Sequence, residues 1–597
     1  MSLPKRSEVN ANYKWNLSSL FNNEDEYNKS IVQLKELADA FSLRYVNTLD
    51  NVPTIITALK EYAVIMQLIT RLGTYASLNL NSDQTDEVNG LRSASLANVI
   101  STVSNQLLFF TTTLKRLETE VLNQISSEYP EGKTLIADLI RKKPHALSEE
   151  ADKVLAQLSQ VLNAPTSNYN KGKLSDMTFP EFEVDGVKQG LSFVLFENEL
   201  EFNTNHKVRR TAYDKFYGVL KQYQNIFASN YQTQVLKEKA IANLSNFDSV
   251  VDSLVFEQKV TREMHDNHID TIMTKLAPAM RKFAKLIQKE YKLEKMTYAD
   301  LKLPIDPDFE PYISVEDSKE YLVKGLDKLG DDYLEMVNRA FDEKWIDFPQ
   351  NAGKSTGAFC SSPYGVHPYI LISWTKRMRE VFVLAHELGH AGHFYLSGKN
   401  QSIYNVRPSL YFIEAPSTMN ELIMFEALKK TDDSLRFKRW LYATLISRTY
   451  YHNFVTHLLE AAYQKQVYKL VDEGKPLTAN VLNNLKLGVI KQFWGDAVEV
   501  DDYAGLTWMR QPHYFSGLYP YTYSCGLSLA TNVFKKIQNN EVTYDDWKEV
   551  LKSGGTKTPV ELGKMVGVDV DDPKTLENTI NFISEVIDEI VEMSEKL

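Results

Sequence analysis

The chain has 597 residues, 43% hydrophobic and 24% charged, an ordinary globular balance that leaves no long span to disorder. That length exceeds what a single hydrophobic core usually organises, so two or more lobes are expected. A net charge of −11 with dispersed Lys and Arg argues against nucleic acid as a partner, no run of eighteen apolar residues predicts a membrane span, and the segment from Met1 to Val9 carries no apolar leader.

In chain order, residues 1–175 carry helical periodicity, with long segments at 53–72 and 87–125. Around 179–202 the pattern changes to alternation on either side of Asp185-Gly186, a hairpin signal. We therefore expect an N-terminal helical lobe over 1–195 that ends in a β-hairpin, and a second region over 196–597. Helices follow at 206–243 and 262–292, then a proline-rich connection at 303–311 and a further helix at 315–341. Residues 345–374 read as two strands folded back on each other, flanking Pro363, Gly365 and Pro368. A free strand edge there would let a peptide add through its backbone. Later helices are expected at 410–428, 434–471, 477–494, 527–538 and 575–596, and the fold class is mainly α.

Between these lies the stretch 381–396. It contains His386-Glu387-Leu388-Gly389-His390, two histidines one helical turn apart with a carboxylate beside them, an arrangement that can hold zinc. At about 100° per residue, Val381, Leu384, Leu388, Ala391 and Tyr395 share one stripe and the two histidines lie opposite. Ser397-Gly398 is expected to stop this helix, with a polar loop over 399–408.

Two histidines do not complete a catalytic zinc site, which normally takes three protein ligands. A third histidine ten residues after the first is excluded, because that position is Leu396 and the accompanying glycine position is His393. His393 lies about 4.5 Å further along the axis than His390, out of reach of a metal bridging the pair, and is expected to support or pack. Glu414 and Glu421, seven apart in a following helix, share a face, so one can ligate while the other orients a ligand. Spacing alone leaves Glu414 open between a ligand and a surface carboxylate.

The run from His386 to His393, followed by Glu414-Ala-Pro-Ser-Thr-Met-Asn-Glu421, resembles the zinc oligopeptidases of the thimet oligopeptidase group, and within it the oligoendopeptidase F family. The resemblance extends to Trp15-Asn-Leu-Ser-Ser-Leu, to Lys354-Ser-Thr-Gly-Ala-Phe-Cys360 and to the segment 552–562, and so covers nearly the whole chain. It implies a two-lobed helical clamshell around a deep substrate channel, with a small β element beside the zinc-binding helix. It implies one zinc ion per chain held by His386, His390 and Glu414, with Glu387 as general base. It also points to the segment 513–526, where His513, Tyr519 and Tyr523 would face the scissile carbonyl, with Tyr514 and Tyr521 less well matched to the family interval.

The expected activity is therefore hydrolysis of internal peptide bonds in short, unstructured peptides. A metal-activated water would attack the carbonyl, Glu387 would take its proton, and Tyr523 and His513 would stabilise the oxyanion. Two alternatives are carried: a dipeptidyl carboxypeptidase using the same zinc site, which needs a basic residue for the peptide terminus, and a non-catalytic helical peptide-binding scaffold. Neither nucleic acid nor membrane is expected as a partner, and the expected location is the cytoplasm. Cys360 and Cys525 are too few for a disulfide framework and are read as reduced thiols.

Overall fold

A computed structural model describes residues 4–597, so the opening Met1–Leu3 of the segment read for a leader lies outside the described residues. Helices dominate, and among the described residues the sheets are one of two strands and one of three, as the mainly α expectation requires. Two separate hydrophobic cores organise the molecule. The smaller is built from Glu24–Tyr45, Val52–Ser82 and Glu87–Arg116, whose inward stripes carry Leu34, Phe41, Leu59, Leu72 and Phe110. Val52–Ser82 is long and apolar enough by composition to cross a membrane, yet Ile55, Leu59 and Leu72 are spent on this core. The larger core begins at Tyr169 and takes in most of the remaining chain.

The hairpin forms as read: strands β1 (Phe182–Val184) and β2 (Val187–Gln189) pair antiparallel about Asp185 and Gly186, both at positive φ. Phe182 packs into the larger core. The second sheet comprises β3 (Ile346–Asp347), β4 (Phe359–Ser361) and β5 (Tyr369–Leu371) in the order β3-β5-β4. β4 and β5 are the two antiparallel strands expected from the sequence, and β4 is the outer one. Successive side chains of a strand point to opposite faces, and β5 uses this fully: Tyr369 and Leu371 enter the smaller core, Ile370 the larger.

The helix bearing the histidine pair spans Met378–Asn400 and is longer at both ends than the pattern indicated. Gly398 does not stop it. With nothing within 4 Å of where a Cβ would sit, Gly398 stays helical, and the helix closes only where the Gln401 amide donates to the Ser397 carbonyl at 2.8 Å. Lys399 is thereby helical, not part of a loop. Val381, Leu384, Leu388 and Ala391 are fully buried, as the stripe required.

Against this helix lies Ala415–Leu428. The approach is close: a Cβ at Gly389 would fall 2.5 Å from the Ser417 Cα and collide with the Pro416 carbonyl. Asn420 then ties the pair, donating to the Ala385 carbonyl at 3.1 Å, while the Tyr333 hydroxyl donates to the Leu388 carbonyl at 3.0 Å. A third helix, Tyr519–Gln538, completes the cluster, and a Cβ at Gly526 would sit 2.7 Å from the Ala415 nitrogen. It begins eight residues before the predicted 527, because Pro520 occupies the first turn, where its missing N–H costs nothing.

Gly389→Ala should therefore lower stability by about 1–3 kcal/mol through overpacking against backbone. Gly398→Ala, which meets open space, should be neutral or gain up to about 1 kcal/mol. Equal unfolding midpoints for the two variants would contradict the close-approach account.

Candidate active site

The three helices bring their polar side chains to one place. Glu414 immediately precedes Ala415–Leu428, and its buried carboxylate oxygen Oε2 is 3.3 Å from His386 Nε2 and 3.3 Å from His390 Nε2. The three ligand atoms lie within 4.8 Å of one another. On the far side of the His386 ring, Nδ1 is 2.7 Å from Glu421 Oε1, so that carboxylate accepts the Nδ1 proton and orients the ring with Nε2 toward Glu414. The Thr449 hydroxyl donates to the other Glu421 oxygen. Glu414 thus faces both histidine rings, while Glu421, seven residues on, hydrogen-bonds the first of them.

Two imidazole nitrogens and one carboxylate oxygen suit zinc; calcium and magnesium prefer oxygen throughout. The donor set fits the metal. Burial opposes the charged form of His386, but the flanking Glu414 and Glu421 carboxylates override it and hold its pKa well above the ordinary value. Burial likewise works against the Glu414 carboxylate, and His390 and His386 overcome it.

Glu387 faces the same space. It is 5% exposed, its Oε2 has no hydrogen-bond partner among the described residues, and burial raises its pKa. A carboxylate shifted upward and left unpartnered is suited to exchanging a proton. His393 is placed elsewhere. It is fully buried against Phe394 and Phe412, neither ring nitrogen is hydrogen-bonded among the described residues, and desolvation pushes its pKa down to about 3. Its contacts are aromatic, and no hydrogen bond joins it to His386, His390 or Glu414 among the described residues.

Opposite stand the aromatic residues of the 513–526 segment. Tyr519 and Tyr523 are one turn apart on the same helix face, with rings 5.4 Å apart. The Tyr519 hydroxyl donates to Glu414 Oε1 at 3.1 Å, and Tyr523 Oη lies 3.4 Å from His513 Nε2. Tyr521 points away, into the core beside Tyr411 and His265, and Tyr514 packs on Tyr231 and Tyr463.

Three residues here went unnoticed in the sequence: His452, His457 and Glu460. The His457 ring stacks on Tyr523 at 4.1 Å, its Nδ1 is 2.8 Å from Glu460 Oε2, and its Nε2 is 3.1 Å from His452 Nε2. Glu460 Oε2 is also 4.0 Å from His513 Nδ1. Burial would raise the Glu460 pKa, but His457 reverses this and keeps the carboxylate ionised. The predicted helix over 434–471 contains a π-helical stretch, Leu445–Thr456. Residues five apart diverge by about 140° in an α-helix. Hydrogen bonds running i→i+5 bring them together, so α-periodicity concealed the His452–His457 pair. The His457-x-x-Glu460 spacing was the legible signal.

The model of peptidase family M3 matches residues 200–582, and that of Oligopeptidase F matches residues 114–179. The chain is 28% identical to Oligopeptidase PepF of Bacillus subtilis, covering 100% of this chain and 89% of that protein. It is also 28% identical to an oligoendopeptidase F homolog of Borreliella burgdorferi, covering 98% and 99%. In fold it is similar to a putative peptidase from Chlamydophila abortus (TM-score 0.81, 22% identity, covering 99% of this chain and 100% of that one). The oligoendopeptidase-F of Enterococcus faecium gives a TM-score of 0.77 at 20% identity, covering 96% and 100%. With a family match over most of its length and oligoendopeptidase F relatives spanning nearly all of it, the chain belongs to peptidase family M3.

Proposed function

We propose that the protein is a zinc-dependent endopeptidase that hydrolyses internal bonds of short, unfolded peptides. The observation that carries this reading is the placement of Glu414 Oε2 at 3.3 Å from both His386 Nε2 and His390 Nε2, with the unpartnered Glu387 carboxylate in the intervening turn. Held by His386, His390 and Glu414, one zinc ion would supply Lewis acidity toward the scissile carbonyl and toward the attacking water.

The chain's own groups do the rest. Glu387 takes the proton of the attacking water and delivers it to the leaving amine nitrogen. As the carbonyl carbon becomes tetrahedral, negative charge grows on its oxygen, and the Tyr523 hydroxyl and His513 imidazole stabilise it as hydrogen-bond donors. Tyr519, already donating to Glu414, orients that carboxylate. His457 and Glu460 hold Tyr523 and His513 from behind, the first by stacking and the second through its charge. Free Cys360 and Cys525 accord with a reducing cytoplasm.

Glu387→Gln should retain zinc at one per chain while turnover of a fluorogenic peptide falls by about 10²-fold or more; near wild-type turnover would overturn the assignment. Removing zinc with a chelator should abolish cleavage and adding it back should restore it. Glu421→Gln should weaken zinc binding by roughly 10–100-fold in a chelator competition, since the His386 ring is no longer oriented by a carboxylate. Mapping the products of one peptide by mass spectrometry separates internal cleavage from release of C-terminal dipeptides.

A further inference from the structure

His513 and Tyr523 are not fixed by their contact with each other. Tyr523 Oη and His513 Nε2 are 3.4 Å apart, at the weak end of hydrogen bonding. His513 Nδ1 has no hydrogen-bond partner among the described residues, and Glu460 Oε2 is 4.0 Å from it. Their mutual placement therefore passes through the backbone between them. His513 belongs to the short helical turn Pro512–Phe515 and Tyr523 to the helix Tyr519–Gln538, so the connection at residues 516–518 decides how the two meet.

At the middle of this connection Gly517 takes a φ of +60°, which favours glycine. Tyr514 and Leu518 are buried on either side of it. Apolar packing is non-directional, however, and does not orient the Gly517 peptide.

A chain of hydrogen bonds supplies the direction. The Gln464 side-chain nitrogen donates to the Gly517 carbonyl at 2.7 Å and to the Tyr468 oxygen at 3.1 Å. Tyr468 donates in turn to Glu238 Oε2 at 2.7 Å, and Gln234 donates to the other Glu238 oxygen at 2.8 Å. Because the Tyr468 proton is committed to the carboxylate, its oxygen can only accept from Gln464, which must therefore present its NH₂ group to both partners. Burial raises the Glu238 pKa, and Tyr468, Gln234 and the Gly517 N–H work against that rise.

Gln464 and Tyr468 are fully buried, a costly position for polar groups that have no partners. They extend a polar stripe along one helix, His457–Asp472. At about 100° per residue, His457, Glu460, Gln464 and Tyr468 fall within about 80° of one another around its axis. Along this stripe His457 stacks on Tyr523, Glu460 approaches His513 and Gln464 grips Gly517.

On the basis of the function proposed above, we infer that Gln464, oriented by Tyr468 and Glu238, is a positioning residue: it clamps the connection at 516–518 and thereby sets His513 against Tyr523 as one oxyanion-binding pair.

Gln464→Met keeps most of the side-chain volume and removes the donor. On the full-length enzyme it should lower kcat for a fluorogenic peptide about 10-fold, less than the roughly 10²–10³ that follows loss of an oxyanion donor outright. KM should stay within about twofold, with zinc still at one per chain. In a His513→Ala background the same change should cost less than about twofold, because the residue it positions is gone. Hydrogen exchange should quicken in peptides covering residues 512–519 and keep the wild-type rate elsewhere. Tyr468→Phe, which removes a single oxygen, should show the same pattern to a smaller degree, and it takes over the comparison if Gln464→Met does not fold. Unchanged kcat, or a loss that persists undiminished without His513, would overturn the positioning role; unchanged exchange at 512–519 would overturn the clamp itself. Exchange needs no turnover. A wild type that cleaves no peptide, with exchange quickened in the variant, would defeat the proposed function while the clamp stands, whereas a cleaving wild type with any of those contrary results would defeat the inference alone.

Discussion

The site depends on how closely three helix backbones approach one another. Gly389 lets Ala415–Leu428 settle directly on the motif helix, and Gly526 lets Tyr519–Gln538 settle on the residues that begin at Glu414. Glycine inside a helix costs about 1 kcal/mol relative to alanine, and the molecule accepts that cost at both contacts. What it gains is reach. A glutamate has only a short side chain, and only backbones packed without intervening Cβ atoms let Glu414 meet two histidines on one helix and Tyr519 on another.

This constraint explains the uneven legibility of the sequence. The buried stripe and the histidine face of the motif helix could be read, though not its ends, because stripe and histidines are local and periodic. Glu414 could not be placed by spacing, since its position depends on Gly389 meeting Pro416, a contact between segments. The Tyr519–Tyr523 pair lies ahead of the predicted helix start at 527, yet Pro520 was itself the start signal of the helix that carries both. Gly398 misled in the opposite direction: a glycine ends a helix only when the chain has reason to turn there, and Lys399 continues the helix instead. The pairing of His452 with His457 was hidden by a change of helical period that no apolar stripe announces, whereas the spacing of His457 and Glu460 within one α-helix was legible and passed over.

Electrostatically the site is a set of buried charges that compensate one another. Glu414 and Glu421 flank His386, and Glu460 sits against His457 and near His513. Each carboxylate would be costly to bury alone, and each has imidazole within reach. Glu387 is the exception, buried with an oxygen that has no hydrogen-bond partner among the described residues, which suits the proton exchange proposed for it. His393 marks the boundary of this network. One turn beyond His390 the surroundings become aromatic and the ring is kept neutral.

Strand β5 carries a consequence for the architecture as a whole. Tyr369 and Leu371 are completely buried in the smaller core while Ile370 is buried in the larger, so this three-residue strand is a party wall between the two lobes. Stripping away the N-terminal helices would bare one face of that wall, at roughly 1.5–3 kcal/mol for each large side chain exposed. The same strand supports β4, the edge beside the motif helix. The N-terminal lobe is therefore not a detachable addition to a self-sufficient domain; it forms half of the foundation on which β4, beside the motif helix, rests.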